Sequence, residues 1–237
     1  GLHCEGVPEN SMAAFLRARE FGFGVELDVH LTADGELVVI HDSDIRRMCG
    51  RDGIVEEMTL SELRECRLLD TDEQIPTFDE ALSVFDCDPT GESEMPAPVI
   101  VELKVHNDNY AELCERVMCC LDDHLVRYCV ESFDPHAVAW MRQNRPEVIR
   151  GPLAWNYWPE RERPLYERVG GTALLSNVAT RPDFVAYRFS DRDNPAVRLS
   201  CDVLGGHLVV WTVRNEQDLR AAEAAGAVVI FEGFLPE

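Results

Sequence analysis

Residues 24–42 read GVELDVHLTADGELVVIHD, and this stretch decides the fold. Glu26, Asp28 and His30 alternate with Val25, Leu27, Val29 and Leu31. Successive side chains of a strand point to opposite faces, so the apolar set takes one side and the two carboxylates share the other. Asp34-Gly35 supplies turn residues, and Glu36–His41 returns as a second extended run. The return delivers His41-Asp42 near the start of the hairpin. Local geometry alone thus gathers two carboxylates and a histidine, which suits a hard-metal site with an acid/base beside it. A half-exposed hairpin with its charges in water shows the same alternation, so the stretch by itself leaves both readings open.

The segments around it choose between fold classes. Upstream, Ser11 or Asn10 can cap a helix running MAAFLRAREF, which Gly22 or Gly24 ends. Downstream, residues 43–75 read as a small insertion: a Gly-containing loop at Cys49–Gly53, then a short helix opened by the capping box Thr59-x-x-Glu62. Pro76-Thr77 precedes another helix over Phe78–Phe85, and an acidic, Pro/Gly-bearing loop spans 87–97.

Strands are then expected at Val99–Lys104, Tyr128–Ser132, Val148–Ala154, Phe184–Arg188, Leu208–Val213 and Ala227–Phe231. Helices are expected at 107–122, 135–144, 159–170, 192–204 and 215–225. This alternation indicates parallel βαβ units. Seven strands follow the first helix, and an eighth before Gly1 would complete the set. The expected fold is an α/β TIM (β/α)8 barrel forming one domain over 1–237, with its first strand missing from the N-terminus of this chain.

Composition limits the function classes. A formal net charge of −22 repels phosphate backbones and anionic bilayers, so neither nucleic acid nor a membrane surface is an expected partner. No apolar run is long enough to span a membrane. Nine cysteines without a Cys-x-x-Cys form neither a disulfide framework nor a zinc ribbon. Cys114, Cys119 and Cys129 read as small buried hydrophobes, and a reducing cytoplasm is the simplest context.

In a barrel the chemistry sits at the C-terminal ends of the strands. Those ends carry Glu26 and Asp28, then Glu102 and Lys104 in VIVELKVH, then Glu131-Ser132, Asn156, Arg188, Trp211-Thr212 and Glu232. Three carboxylates suit Mg²⁺ or Ca²⁺ and not zinc. Lys104 can meet a phosphate or close a structural ion pair with Glu102 or a neighbouring acid.

PENSMAAFLRAREFGFGVELDVHLTADGELVVIHD resembles the signature region of the glycerophosphodiester phosphodiesterase family. The shared marks are P-E-N-S, E-x-D, T-x-D-G and H-D. DGIVEEMTLSELREC, IPTFDEAL, VIVELK, VESFDP and VVWTV extend the resemblance over nearly the whole chain. It implies a TIM barrel that hydrolyses glycerophosphodiesters to glycerol 3-phosphate and an alcohol. It implies that Glu26, Asp28 and Glu102 bind one divalent cation, Mg²⁺ or Ca²⁺ with Mn²⁺ as a further candidate. It makes His41 one of two catalytic histidines and Lys104 a phosphate contact. Glu9 and Asn10 fall on the P-E-N motif and buttress the substrate site. Trp211 packs against glycerol or serves as a core aromatic.

Two positions depart from the family pattern. The family's other catalytic histidine belongs to an H-R-G, and Gly1 looks like its glycine. The histidine and arginine would then precede residue 1, with His3 the rival candidate. The last strand ends Phe231-Glu232-Gly233-Phe234 where many members carry Thr-Asp. His30 shares the strand's inward face and is read as a hydrogen-bonded structural residue, whereas His106, His124, His136 and His207 are read as solvated. The rival functions are a barrel that only binds its ligand and a related lyase that cyclises its phosphodiester. The substrate is a small molecule, and the oligomeric state is not set by the sequence.

Overall fold

Ser11 starts the first helix. Its hydroxyl accepts the Ala14 N–H, satisfying one of the donors a helix N-terminus leaves open, and α1 runs Met12–Glu20. The structure is a computed structural model that describes residues 2–4, 6–87 and 96–236. Gly1 and most of the acidic segment expected over 87–97 lie outside the described residues. The chain divides into two compact units, Gly1–Cys129 and Val130–Glu237.

In the first unit, β1 (Val25–Leu31) and β2 (Leu37–Val39) form the expected hairpin, antiparallel with Val29 opposite Val39. Gly35 takes φ +81 at the turn, a conformation open to glycine without a Cβ clash. The insertion follows with α2 (Arg46–Cys49), a 3-10 turn (Val55–Glu57) and α3 (Leu60–Leu63), whose capping box Thr59/Glu62 is complete. Its apolar residues Ile45, Met48, Val55, Leu63, Leu68 and Ile75 make a small core with Val38 and Ile40 of the hairpin's return run.

A second capping box, Thr77/Glu80, opens α4 (Phe78–Ser83). Next come β3 (Val99–Leu103) and α5 (Tyr110–Asp122), which buries Leu113, Cys114, Val117, Met118 and Leu121. Cys119 lies off that face and is exposed, contrary to the buried reading, while Cys114 is buried and Cys129 half-buried. β1 and β3 run parallel, pairing Val25 with Val99 and Asp28 with Glu102.

The second unit opens on β4 (Tyr128–Ser132) and α6 (Pro135–Asn144), both at the expected residues. β5 (Arg150–Ala154), α7 (Leu165–Thr172), α8 (Asn177–Thr180) and β6 (Phe184–Arg188) follow. Then come α9 (Pro195–Arg198), β7 (His207–Val213), α10 (Glu216–Ala224) and β8 (Val228–Phe231). Its strands pair in parallel in the order β4-β5-β6-β7-β8. The helix expected over 159–170 starts only at Leu165. Pro164 precedes it, because a proline fits a helix start and breaks a helix interior.

Gly24 sets the start of β1. A Cβ there would meet the Pro98 carbonyl oxygen at 2.5 Å, at the point where Val25 N–H donates to that oxygen. Gly24→Ala should therefore force the β1–β3 entry apart and cost about 1–3 kcal/mol, the usual range for overpacking, in urea unfolding. Wild-type stability in that variant would show that the backbone can open without loss.

Candidate active site

On the polar face of β1, Glu26 is half-buried and Asp28 and His30 are buried, which rules out the water-facing reading of the hairpin. Asp28 and His30 are each 3% exposed, and Glu102 beside them is 6% exposed. Glu26, Asp28 and Glu102 each offer a carboxylate oxygen, and those atoms lie within 4.8 Å of one another. The parallel register produces the cluster, since it sets Asp28 directly across from Glu102.

Lys104 follows Glu102 by two residues and so returns to the same face. Its backbone N–H donates to Val29 O at 3.0 Å, which carries the strand pairing one residue past β3. Its Nζ lies 2.8 Å from Asp28 Oδ1 and 2.7 Å from Glu102 Oε1. Those two oxygens have ion-pair distances to Lys104 but no aligned hydrogen bond. Asn10, at φ 51, donates its Nδ2 to Asp28 Oδ2 at 2.7 Å. Of the two expectations for Lys104, the ion pair is present: the ammonium stands among the carboxylates as the cluster's own positive charge.

Burial and mutual repulsion dominate the cluster's electrostatics. Burial pushes the Glu102 carboxyl well above the usual carboxylate range and the Asp28 charge adds to this, while Lys104 opposes it. Burial also acts to raise Asp28, but the Lys104 ammonium and the His41 ring outweigh it and hold that carboxyl low. For Lys104, burial would favour the neutral amine, and the two carboxylates overcome this and keep the group charged. One ammonium does not fully offset the clustered carboxyl groups in this poorly solvated place, and the excess shows as the raised Glu102 carboxyl. An all-oxygen donor set with buried, poorly aligned oxygens fits a hard divalent cation.

His41 stands at the edge of this arrangement, its side chain half exposed. Its Nδ1 lies 2.6 Å from Asp42 Oδ1, and Arg47 Nε donates to Asp42 Oδ2 at 2.5 Å. Arg47 Nη2 in turn donates to Glu9 Oε1 at 2.5 Å. The P-E-N motif therefore reaches the site through two residues: Asn10 holds Asp28, and Glu9 holds Arg47.

Behind His41, His30 Nδ1 lies 2.6 Å from Glu56 Oε1, and its Nε2 is 3.4 Å from the His41 carbonyl oxygen. Ser43 donates to the other Glu56 oxygen at 2.5 Å. Burial would raise the Glu56 carboxyl, but the bonds from His30 and Ser43 win and hold it below the ordinary glutamate value. His30 is thus the hydrogen-bonded residue expected. Arg47, Ser43 and Glu56 carry no spacing signal of their own, because their contacts run between the insertion and the hairpin.

The remaining candidates lie elsewhere in the chain. His3 is half-buried in the N-terminal segment. In the second unit, Trp211 meets Phe133 and Trp155 edge-on at 5.7 and 6.2 Å, with the Arg188 guanidinium 5.7 Å from its ring centre. His124 is not solvated: its side chain is 7% exposed and bonded to Asp79 and Asp86.

Alternating parallel strands and helices, with a carboxylate cluster gathered across the adjacent strands β1 and β3, define the class of α/β-barrel enzymes. The chain belongs to the glycerophosphoryl diester phosphodiesterase family, whose model matches residues 5–234. Members of that family are phosphoric diester hydrolases with the TIM-barrel fold, the fold class expected from the alternation.

Among known proteins, the chain is 32% identical to a glycerophosphodiester phosphodiesterase of Caldanaerobacter subterraneus, over 94% of this chain and 87% of that one. It is 29% identical to glycerophosphodiester phosphodiesterase 1 of Rattus norvegicus over 60% of this chain, a match that spans 44% of the rat protein. Its fold matches a phosphodiesterase of Oleispira antarctica solved with the product sn-glycerol-3-phosphate, at TM-score 0.77 and 22% identity, covering 96% and 88% of the two chains. It also matches a glycerophosphodiester phosphodiesterase of Thermotoga maritima at TM-score 0.67 and 26% identity, covering 94% and 88%.

A carboxyl held below its ordinary value stabilises the fold above that value and loses the effect as pH falls through the folded one. Glu56, with an ordinary value of 4.5, should thus contribute fully near neutrality and progressively less in acid below about that pH. Glu56→Gln should cost about 1–2 kcal/mol at pH 7 in urea unfolding, and its difference from wild type should shrink on acidification. A difference that stays constant from pH 7 to pH 4 would assign the loss to packing instead.

Proposed function

We propose that this chain hydrolyses glycerophosphodiesters to glycerol 3-phosphate and an alcohol, using the β1–β3 cluster and His41. The observation that carries the reading is the convergence of Glu26, Asp28 and Glu102 with Lys104 beside them, in a chain of this family. Glu26, Asp28 and Glu102 hold one divalent cation, with Mg²⁺ or Ca²⁺ favoured by their all-oxygen chemistry. When bound, such a cation polarises a phosphoryl oxygen and offsets charge that develops in the transition state.

The chain's own residues do the rest. Lys104 faces the phosphate with a charge that its carboxylate neighbours keep in place. Asn10 fixes the Asp28 carboxylate, so a ligand of the cation does not have to be reorganised on binding. Asp42 accepts from His41 Nδ1, which orients the ring and leaves Nε2 as the nitrogen that takes up or delivers the transferred proton. Arg47 and Glu9 hold Asp42 from behind, so Glu9 acts on the substrate site through Arg47. In the reaction an oxygen nucleophile adds to phosphorus, the P–O bond to the alcohol breaks, and the leaving oxygen takes a proton. His41 serves one of the two proton transfers. Trp211 is the aromatic candidate for the glycerol moiety. Nine cysteines without a disulfide support a reducing, cytoplasmic setting.

The test is release of glycerol 3-phosphate from a panel of glycerophosphodiesters, with Mg²⁺, Ca²⁺ or Mn²⁺ and with chelator. Release should require the cation, and His41→Ala should lower turnover about 10²–10⁴-fold with cation affinity nearly unchanged. Turnover within a few-fold of wild type in that variant would remove His41 from the mechanism. A stable cyclic phosphate as the end product would identify a lyase instead.

A further inference from the structure

The first unit carries a second group of ligand side chains, on α4 and at the end of α5. Asp79, Cys120 and His124 each present one donor atom, and the three atoms lie within 4.8 Å of one another. Asp79 sits in the first turn of α4 and Cys120 in the last turn of α5, with His124 just beyond. The His124 contacts to Asp79 and Asp86 hold part of this grouping together, and Cys120 adds a thiol beside them.

The imidazole is held as a metal-binding histidine is held. Its side chain is 7% exposed, and Asp86 Oδ2 accepts from Nδ1 at 2.8 Å. Asp86 is itself fixed, because its Oδ1 accepts the Leu125 N–H at 2.8 Å. A carboxylate on one ring nitrogen sets the ring orientation and turns the other nitrogen outward to a ligand position. That nitrogen, Nε2, faces Asp79 Oδ1 at 3.1 Å.

We propose that Asp79, Cys120 and His124 bind one Zn²⁺, with Asp86 orienting the imidazole and water in the fourth position. A thiolate, an imidazole and a carboxylate together select a borderline-soft ion, in contrast to the all-oxygen β1–β3 cluster. Zinc bonds of about 2.0–2.3 Å place tetrahedral ligands roughly 3.5 Å apart. The Asp79 carboxylate already faces His124 Nε2, so the metal would replace that contact with a bond to each group. Binding releases the Cys120 thiol proton, and also any proton on the His124 nitrogen that takes the metal. The ion ties α4 to the end of α5 as a structural clamp outside the catalytic cluster.

Co²⁺ titration of the full chain tests this, because a thiolate-to-cobalt charge-transfer band reports sulfur ligation and the oxygen-only cluster cannot produce it. One equivalent should raise the band, and Zn²⁺ should abolish it by displacement. Cys120→Ser should remove the band while leaving glycerophosphodiester turnover at its wild-type level. Asp79→Asn, which keeps the size of the side chain, should weaken the Co²⁺ midpoint at least several-fold. Asp86→Asn should weaken it by about 10–100-fold. No band in the wild-type chain, or a band that survives Cys120→Ser, overturns the site. An unchanged midpoint in Asp79→Asn overturns the assigned ligand set.

Discussion

Asp28 and Glu102 stand opposite each other on adjacent parallel strands, and both are buried. Two carboxylates at that spacing repel strongly once water is excluded, and the fold holds them together only because other groups answer the charge. Lys104 answers it from the same strand face and Asn10 from the start of α1, and the geometry leaves an oxygen-lined place for a cation. Much of the first unit serves this arrangement. The Gly24–Pro98 approach brings β1 and β3 into register, and the α1 cap brings the P-E-N segment to Asp28.

A separate line of side chains holds His41. Glu9, Arg47, Asp42 and His41 form a chain of charge-assisted contacts that ends on one ring nitrogen. His30, Glu56 and Ser43 brace the backbone behind it. The insertion supplies Arg47, Ser43 and Glu56. Its small core therefore does more than fill space: it sets the position of the histidine that faces solvent.

The hairpin, the Thr59/Glu62 capping box, β4, β6 and α6 were legible because each rests on local signals: period-two alternation, a Thr with Glu three residues on, a Pro at a helix start. The carboxylate set was legible for the same reason, since Glu26 with Asp28 and Glu102 with Lys104 are same-face pairs within single strands. Arg47 and Glu56 were not, because no interval along the chain relates them to Asp42 or His30. His124 was misread as solvated for that reason, its aspartate partners lying 38 and 45 residues away. Cys119 was misread because an apolar-looking residue on a helix reveals its face only once the neighbouring elements are placed.

The sequence by itself determined that charged residues share one face at the ends of two strands, that strands and helices alternate, and that the motif set resembles one hydrolase family. Tertiary structure alone decided that this polar face is buried, that Asp28 pairs with Glu102, and which side chains hold His41. Alternation fixes the side of a strand on which a residue lies, but burial and charge pairing depend on what packs against that side. In this chain those partners come from the N-terminal P-E-N segment, the insertion and a distant strand.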